Sequence, residues 1–215
     1  MTEVAGRDDR RRGAQRGRID KRAAILDAAF TVFAREGYAQ ACVNQIAAEA
    51  GVAKPTVYNH LTDKANLFRH AIRAAHDGLL RENLATVARL ADPGTDLRQT
   101  LLAVGRDLAR TGADERTWAL RRLLHAEAAR FPELLDDAVD QDVRRLTEAL
   151  ADRFARLALG GRLHLTDPTV AAEQFLALVD GPLESRSRYG TRPVTAADQE
   201  QIANAAVQTF IAAFG

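Results

Sequence analysis

Between Ala41 and Leu61 the chain concentrates side chains suited to reading an ordered polyanion. Lys54, Thr56 and Asn59 can address base edges or backbone, while Tyr58, His60 and Lys64 can reach phosphates. The apolar residues among them fix where those polar groups point. Val43, Ile46 and Ala50 form the inward face of one short helix, and Val57 faces inward from a second that begins near Lys54-Pro55. Ala47 is small where the second helix crosses closely, Gly51 permits the positive φ of a tight turn, and Val52 wedges that turn. This is the pattern of a helix-turn-helix, whose second helix lays its first residues on base edges in the major groove while the first helix crosses the backbone. Two ordinary core helices with solvated polar faces would share the spacing. Two features tip the balance toward DNA. Arg7, Arg10, Arg11, Arg12, Arg16 and Arg18 form a basic arm upstream, where homeodomain-like proteins contact the minor groove or backbone. The chain's three lysines, Lys21, Lys54 and Lys64, all lie in this region.

Other chemistries find little support. Cys42 would sit beside a phosphate, where helix dipoles favour a thiolate, and is a candidate redox sensor. No second cysteine exists to resolve an oxidised one, so a small residue in place of threonine is the simpler reading. None of His60, His70, His76, His125 and His164 forms an i, i+4 ligand pair, and no metal site is expected. No nucleophile with a base and no Gly-rich phosphate loop marks an enzyme, and no cofactor is implied.

The elements that must carry the motif are helical. The 215 residues are 47% hydrophobic, 27% charged and only 6% aromatic, which excludes a disordered chain, a collagen-like repeat and a disulfide scaffold. One cysteine points to a reducing compartment, and the cytoplasm is the expected location. No apolar run approaches a membrane span, and the charged N-terminus lacks the apolar stretch of a secretory signal. Apolar residues recur at three and four, as in Ile25, Leu26, Ala29, Phe30 and Phe33. The spacing predicts an all-α chain of nine helices, three short and then six longer. The segments are a flexible basic arm over 1–18, a three-helix DNA-binding unit over 19–65, and a six-helix dimerisation and effector domain over 66–215. The first helix runs from Ile19 to Glu36 and stops at Gly37, the next two cover 43–50 and 54–60, and a long helix capped by Thr62-Asp63 reaches Leu90. Thr95 caps a helix to Arg110, and 114–130 is another. Phe131-Pro132 starts one that ends at Gly160-Gly161, Asp167-Pro168 opens one to Leu183, and Thr195 caps the last. The net charge of +1 conceals an asymmetry. Residues 1–70 hold 12 Lys+Arg against 8 Asp+Glu, while residues 71–215 hold 18 against 21.

The run Arg22, Ile25, Leu26, Ala28, Ala29, Phe33, Ala34, Gly37 and Tyr38, followed by Ile46, Ala47, Ala50, Gly51, Val52, Lys54 to Tyr58, His60, Lys64, Leu67 and Phe68, resembles the TetR family of transcriptional regulators. The resemblance spans about 50 contiguous residues. It implies contacts to double-stranded operator DNA from Asn44, Lys54, Pro55, Thr56, Tyr58, Asn59, His60 and Lys64. Three departures from the family pattern stand out. Ala41-Cys42 and Ala53 replace residues whose hydroxyls usually cap the second and third helices, at about 1 kcal/mol each, and Leu61 replaces a phenylalanine.

Trp118, Arg121 to Leu124, His125, Glu127 and Arg130 to Leu134, with Asp167, Pro168, Ala171, Ala172 and Phe175, look like the AefR-like subgroup. Trp118, Arg122 and His125 share one helical stripe and are candidates for an effector pocket, with an exposed stripe as the competing reading. Phe175, Leu178 and Val179, with Ile202, Ala206 and Phe210, form two apolar stripes. Burial inside the chain competes with dimerisation for them, and the resemblance favours a two-fold four-helix homodimer. The expected function is a dimeric repressor released from its operator by a small-molecule effector. An activator or a redox-responsive regulator of the same family is the alternative.

Overall fold

In the computed structural model the described residues are 5–138 and 143–215, with the side chains of 5–20 and of His60 outside the description. Ten α-helices and no strand occur among them. The chain divides into two compact units, Met1–Ala75 and His76–Gly215.

The first unit contains α1 (Ala5–Gln40), α2 (Val43–Glu49), α3 (Lys54–His60) and the first half of α4 (Lys64–Ala88). Helix α1 starts well before Ile19. The Arg-rich stretch expected as an arm has helical backbone from Ala5, because lack of apolar periodicity does not by itself exclude a helix. The side chains of its arginines lie outside the described residues. At Gly37 (φ 74°, ψ 165°) the helix is interrupted, where a stop was expected. The core of the unit joins Ile25, Ala29 and Phe33 of α1 to Leu67, Phe68 and Ile72 of α4, all essentially inaccessible. Phe33 and Tyr38 each meet Phe68 edge-on, with ring centroids 5.0 and 5.1 Å apart. This packing carries the unit past residue 65, where sequence reasoning ends it.

The second unit contains the rest of α4, then α5 (Leu97–Ala113), α6 (Glu115–Glu127), α7 (Pro132–Asp136), α8 (Arg144–Leu159), α9 (Pro168–Ser187) and α10 (Ala196–Phe214). A 3-10 turn over Arg89–Ala91 ends α4. Of the helix expected from Phe131 to Leu159, α7 and α8 are the regular parts; Asp137 and Val143 between them keep helical dihedrals, and 139–142 lie outside the described residues. Asp96, not Thr95, caps α5, its carboxylate accepting the Gln99 N–H at 3.0 Å. Helix α9 runs four residues beyond Leu183. Pro182 removes one internal donor, but Leu183 and Ser187 remain fully buried beyond it. The caps expected at Asp167 and Thr195 are present.

Phe154 of α8, Phe175 of α9 and Phe210 of α10 form a closed aromatic triangle with centroids 4.7–5.8 Å apart. Helix α5 packs against both α9 and α10. It crosses α10 at Gly105: a Cβ there would lie 3.6 Å from Ala203 Cβ and from Val207 Cγ2. That is ordinary contact distance, so Gly105→Ala is expected to stabilise the protein by about 0.5–1 kcal/mol through helix propensity. A denaturant titration checks this, and a lower midpoint for the variant would refute the fit.

Candidate DNA-binding site

Helix α2 opens at Cys42, which is exposed. The sulfur replaces a better capping oxygen, yet the turn keeps half of a capping box: the Cys42 N–H donates to Gln45 Oε1 at 3.0 Å. Val43, Ile46 and Ala47 are buried, while Ala50, expected to face inward, is half-buried at the C-terminal end. Gly51 adopts φ 64°, the positive value the turn was expected to need. The Val52 N–H then donates to the Ala47 carbonyl at 2.9 Å, closing the turn.

Helix α3 is seven residues long and begins with Pro55 in its first turn, after Ala53, which supplies no side-chain cap. Among its described side chains only Val57 is buried, at 1% exposure. Lys54, Pro55, Tyr58 and Asn59 are exposed, and Thr56 is half-buried. Lys54 Nζ lies 6.0 Å from the centre of the Tyr58 ring one turn later, at the edge of cation–π range. Asn44 is exposed on α2. The position of the His60 side chain lies outside the described residues. The residues expected to meet DNA therefore include one exposed polar face of α3.

Lys64 has a structural role that sequence reasoning missed. Its ammonium donates to the Ala39 carbonyl at 2.9 Å and stands 4.9 Å from the Tyr38 ring centre. This ties the start of α4 to the segment following Gly37. At the same end, Asp63 accepts the Asn66 N–H at 2.7 Å, the cap expected of Thr62-Asp63. A second tie joins α1 to α4, where an Arg22 N–H donates to His70 Nδ1 at 3.2 Å. Neither residue stands out in sequence, since they are 48 positions apart and chemically ordinary.

The candidate pocket and dimer residues are distributed differently from the sequence expectation. Trp118 is buried beneath Gly190, where a Cβ would come within 2.7 Å of the indole side chain. Arg122 is exposed and holds the same loop, donating to the Gly190 carbonyl and to Glu115, each at 2.7 Å. His125 is exposed. Trp118 is covered by the 188–190 turn, and neither Arg122 nor His125 is among the residues that line the cavity beside Asp180. That cavity, of about 40 Å³, is lined by Leu79 and Asn83 of α4, Leu108 and Gly112 of α5, Thr117 and Arg121 of α6, Leu146 of α8, and Leu176, Val179 and Asp180 of α9. Asp180 is the only charge between Gln174 and Leu183, a signal available in the sequence. Phe175, Val179, Ile202, Ala206 and Phe210 are buried within the chain, and Leu178 is half-buried. Intrachain burial, the competing explanation, accounts for five of those six.

The arrangement of α2, turn and α3 is a helix-turn-helix, and the protein is a helix-turn-helix transcriptional regulator rather than an enzyme. Residues 25–71 match the family "Bacterial regulatory proteins, tetR family", and residues 99–215 match "AefR-like transcriptional repressor, C-terminal domain". The chain belongs to the TetR family. It is 30% identical over 175 residues to the HTH-type transcriptional regulator TtgR of Pseudomonas putida, covering 75% of this chain and 78% of that one. It is 27% identical over 173 residues to the HTH-type transcriptional repressor Rv1474c of Mycobacterium tuberculosis, covering 80% and 85%. A crystal structure of a TetR-family regulator from Mesorhizobium loti superposes with a TM-score of 0.83 at 28% identity, covering 92% and 98%. No helix among the described residues is long and apolar enough to cross a membrane.

A guanidinium only donates, so the Arg22 bond requires a neutral His70. Burial first, and then the charges of Arg22 and Arg73, lower the His70 pKa below its ordinary 6.5. On acidification the unfolded chain binds this proton before the folded one does. The His70 contribution to stability is therefore complete above pH 6.5 and declines as pH falls through 6.5 toward the lowered folded value. Unfolding midpoints measured from about pH 7.5 to 5 should show this loss, and less of it in His70→Gln. Identical pH dependence in the two proteins would exclude His70 as its source.

Proposed function

We propose that the protein is a homodimeric repressor that binds a pseudopalindromic operator through α3 and leaves it when a small molecule occupies the second unit. The observation that carries this reading is the exposed polar face of α3 around its buried Val57. Lys54, Thr56 and Asn59 are assigned to bases or backbone, and Asn44, Pro55, Tyr58, His60 and Lys64 to backbone contacts. The names of the matched C-terminal family and of the Mycobacterium relative support repression. Helix α4 supplies residues to both units and is the covalent route by which ligand occupancy would alter operator affinity. A cytoplasmic location accords with this role.

A second copy of this chain is the assigned partner of α9 and α10. Support comes from one uncharged stripe of exposed residues on each, repeating at helical spacing: Val170, Gln174, Ala177 and Gly181 on α9, and Gln201, Ala205, Gln208 and Ala212 on α10. Small residues there permit close approach of two helix pairs in a four-helix arrangement. Of the stripe residues expected in this role, Leu178 is the one partly available to a partner.

An operator selected from random DNA tests the reading. Lys54→Ala should weaken binding by about 1–3 kcal/mol; a phosphate role would also reduce the slope of log affinity against log salt by about one. Equal affinity for selected and random DNA at physiological salt would refute specific recognition. Ala205→Arg should convert the dimer to monomer in sedimentation while retaining its helical circular dichroism. A dimer of unchanged strength would remove α10 from the interface.

A further inference from the structure

The cavity beside Asp180 is too small for a drug-sized ligand, having room for about three waters. Its polar side is lined by one cationic side chain, Arg121. The Arg121 guanidinium lies 4.9 Å from the Trp118 ring centre and pairs with Asp180 at 3.5 Å and with Glu184 at 3.6 Å. These pairs are longer than a good charge-assisted hydrogen bond. Asp180 and Glu184 stand one turn apart on α9, so two carboxylates share one guanidinium and the cluster carries a net negative charge. Asp180 also lies against α5, where a Cβ on Gly112 would come within 3.3 Å of its Oδ1. Burial raises its carboxyl pKa, and Arg121 offsets this only in part. A further acceptor faces the cavity with nothing to accept: Asn83 Oδ1 is buried and has no hydrogen-bond partner. A buried acceptor left without a donor destabilises its surroundings, and a ligand bearing N–H groups would satisfy it.

Were Arg121 displaced, the space it fills beside the Trp118 ring, Asp180 and Glu184 would open toward Leu108 and Leu176, which line the same cavity as Arg121 and Asp180. We propose that this slot binds a flat organic cation, of the aryl guanidinium or amidinium class, which replaces Arg121 on Asp180 and seats its ring among the leucines. The inference rests on reading this unit as the effector domain and names the chemistry of its ligand. A guanidinium matches the position geometrically, because the protein's own guanidinium already occupies it. Neutral and anionic molecules of the same shape are discriminated against by the surplus carboxylate.

Isothermal titration of the full chain with phenylguanidine, the neutral isostere phenylurea, and benzoate tests the slot. The wild-type protein should bind phenylguanidine at least about tenfold more tightly than phenylurea and should bind benzoate least. Arg121→Ala should strengthen phenylguanidine binding several-fold without strengthening phenylurea binding, and Asp180→Asn should abolish most of the preference. The wild-type comparison needs no variant to fold. Equal binding of the two isosteres to the wild type, or a preference that survives Asp180→Asn, would overturn the proposal. Operator release is read separately. Phenylguanidine bound by these rules while the operator complex persists would support the slot and refute ligand-induced release. Release by phenylurea as readily as by phenylguanidine would support release and overturn the slot.

Discussion

A helix of seven residues cannot sustain itself in water, since nucleation costs more than so few hydrogen bonds return. Helix α3 therefore depends on the burial of Val57 and on the turn that delivers it, with Gly51 at positive φ and Val52 closing onto Ala47. That single anchor also fixes the rotation of the helix. With Val57 inward, Lys54, Tyr58 and Asn59 must face outward together. The polar face suited to DNA is a consequence of packing, and the lack of a capping hydroxyl at Ala53 places more of the burden on it. Lys64 and Tyr38 serve the same end from the other side, holding the start of α4 against the segment beyond Gly37.

The second unit is organised by volume. Phe154, Phe175 and Phe210 fill the space among α8, α9 and α10, and α5 crosses α10 at Gly105 with room for a Cβ. Gly112 plays a different part, leaving room for Leu183 and Asp180 of α9. The cavity with its charged edge lies beside that contact. Asp180, whose side chain is about 47% exposed, shares the Arg121 guanidinium with Glu184.

Much of the architecture was legible from the residues. The helical class, the turn at Gly51, the caps at Asp63, Asp167 and Thr195, and the inward Val57 follow from local rules of spacing and hydrogen bonding. The errors came where local signals were weak or permissive. Polar residues before Ile19 have no periodicity to reveal a helix, yet their propensities permit one. The helix expected to end at Leu183 runs on to Ser187, because burial of Leu183 and Ser187 outweighs the hydrogen bond lost at Pro182. Asp96 and Thr95 are adjacent and equally plausible caps, and the observed hydrogen bond alone separates them.

By itself the sequence determined the helix-turn-helix, because every residue of that motif acts on neighbours within a few positions. Tertiary structure decided which apolar stripes face inward. A helical repeat reveals that Phe175, Val179, Ile202 and Phe210 need cover, but not whether the cover is this chain or another, and here it is this chain. It also decided that Trp118 lies beneath a turn some seventy residues onward, and that Arg121 meets Asp180 across two helices. Such meetings depend on how whole helices cross, and helix crossing is set by the summed volumes of many side chains, to which no local pattern gives access.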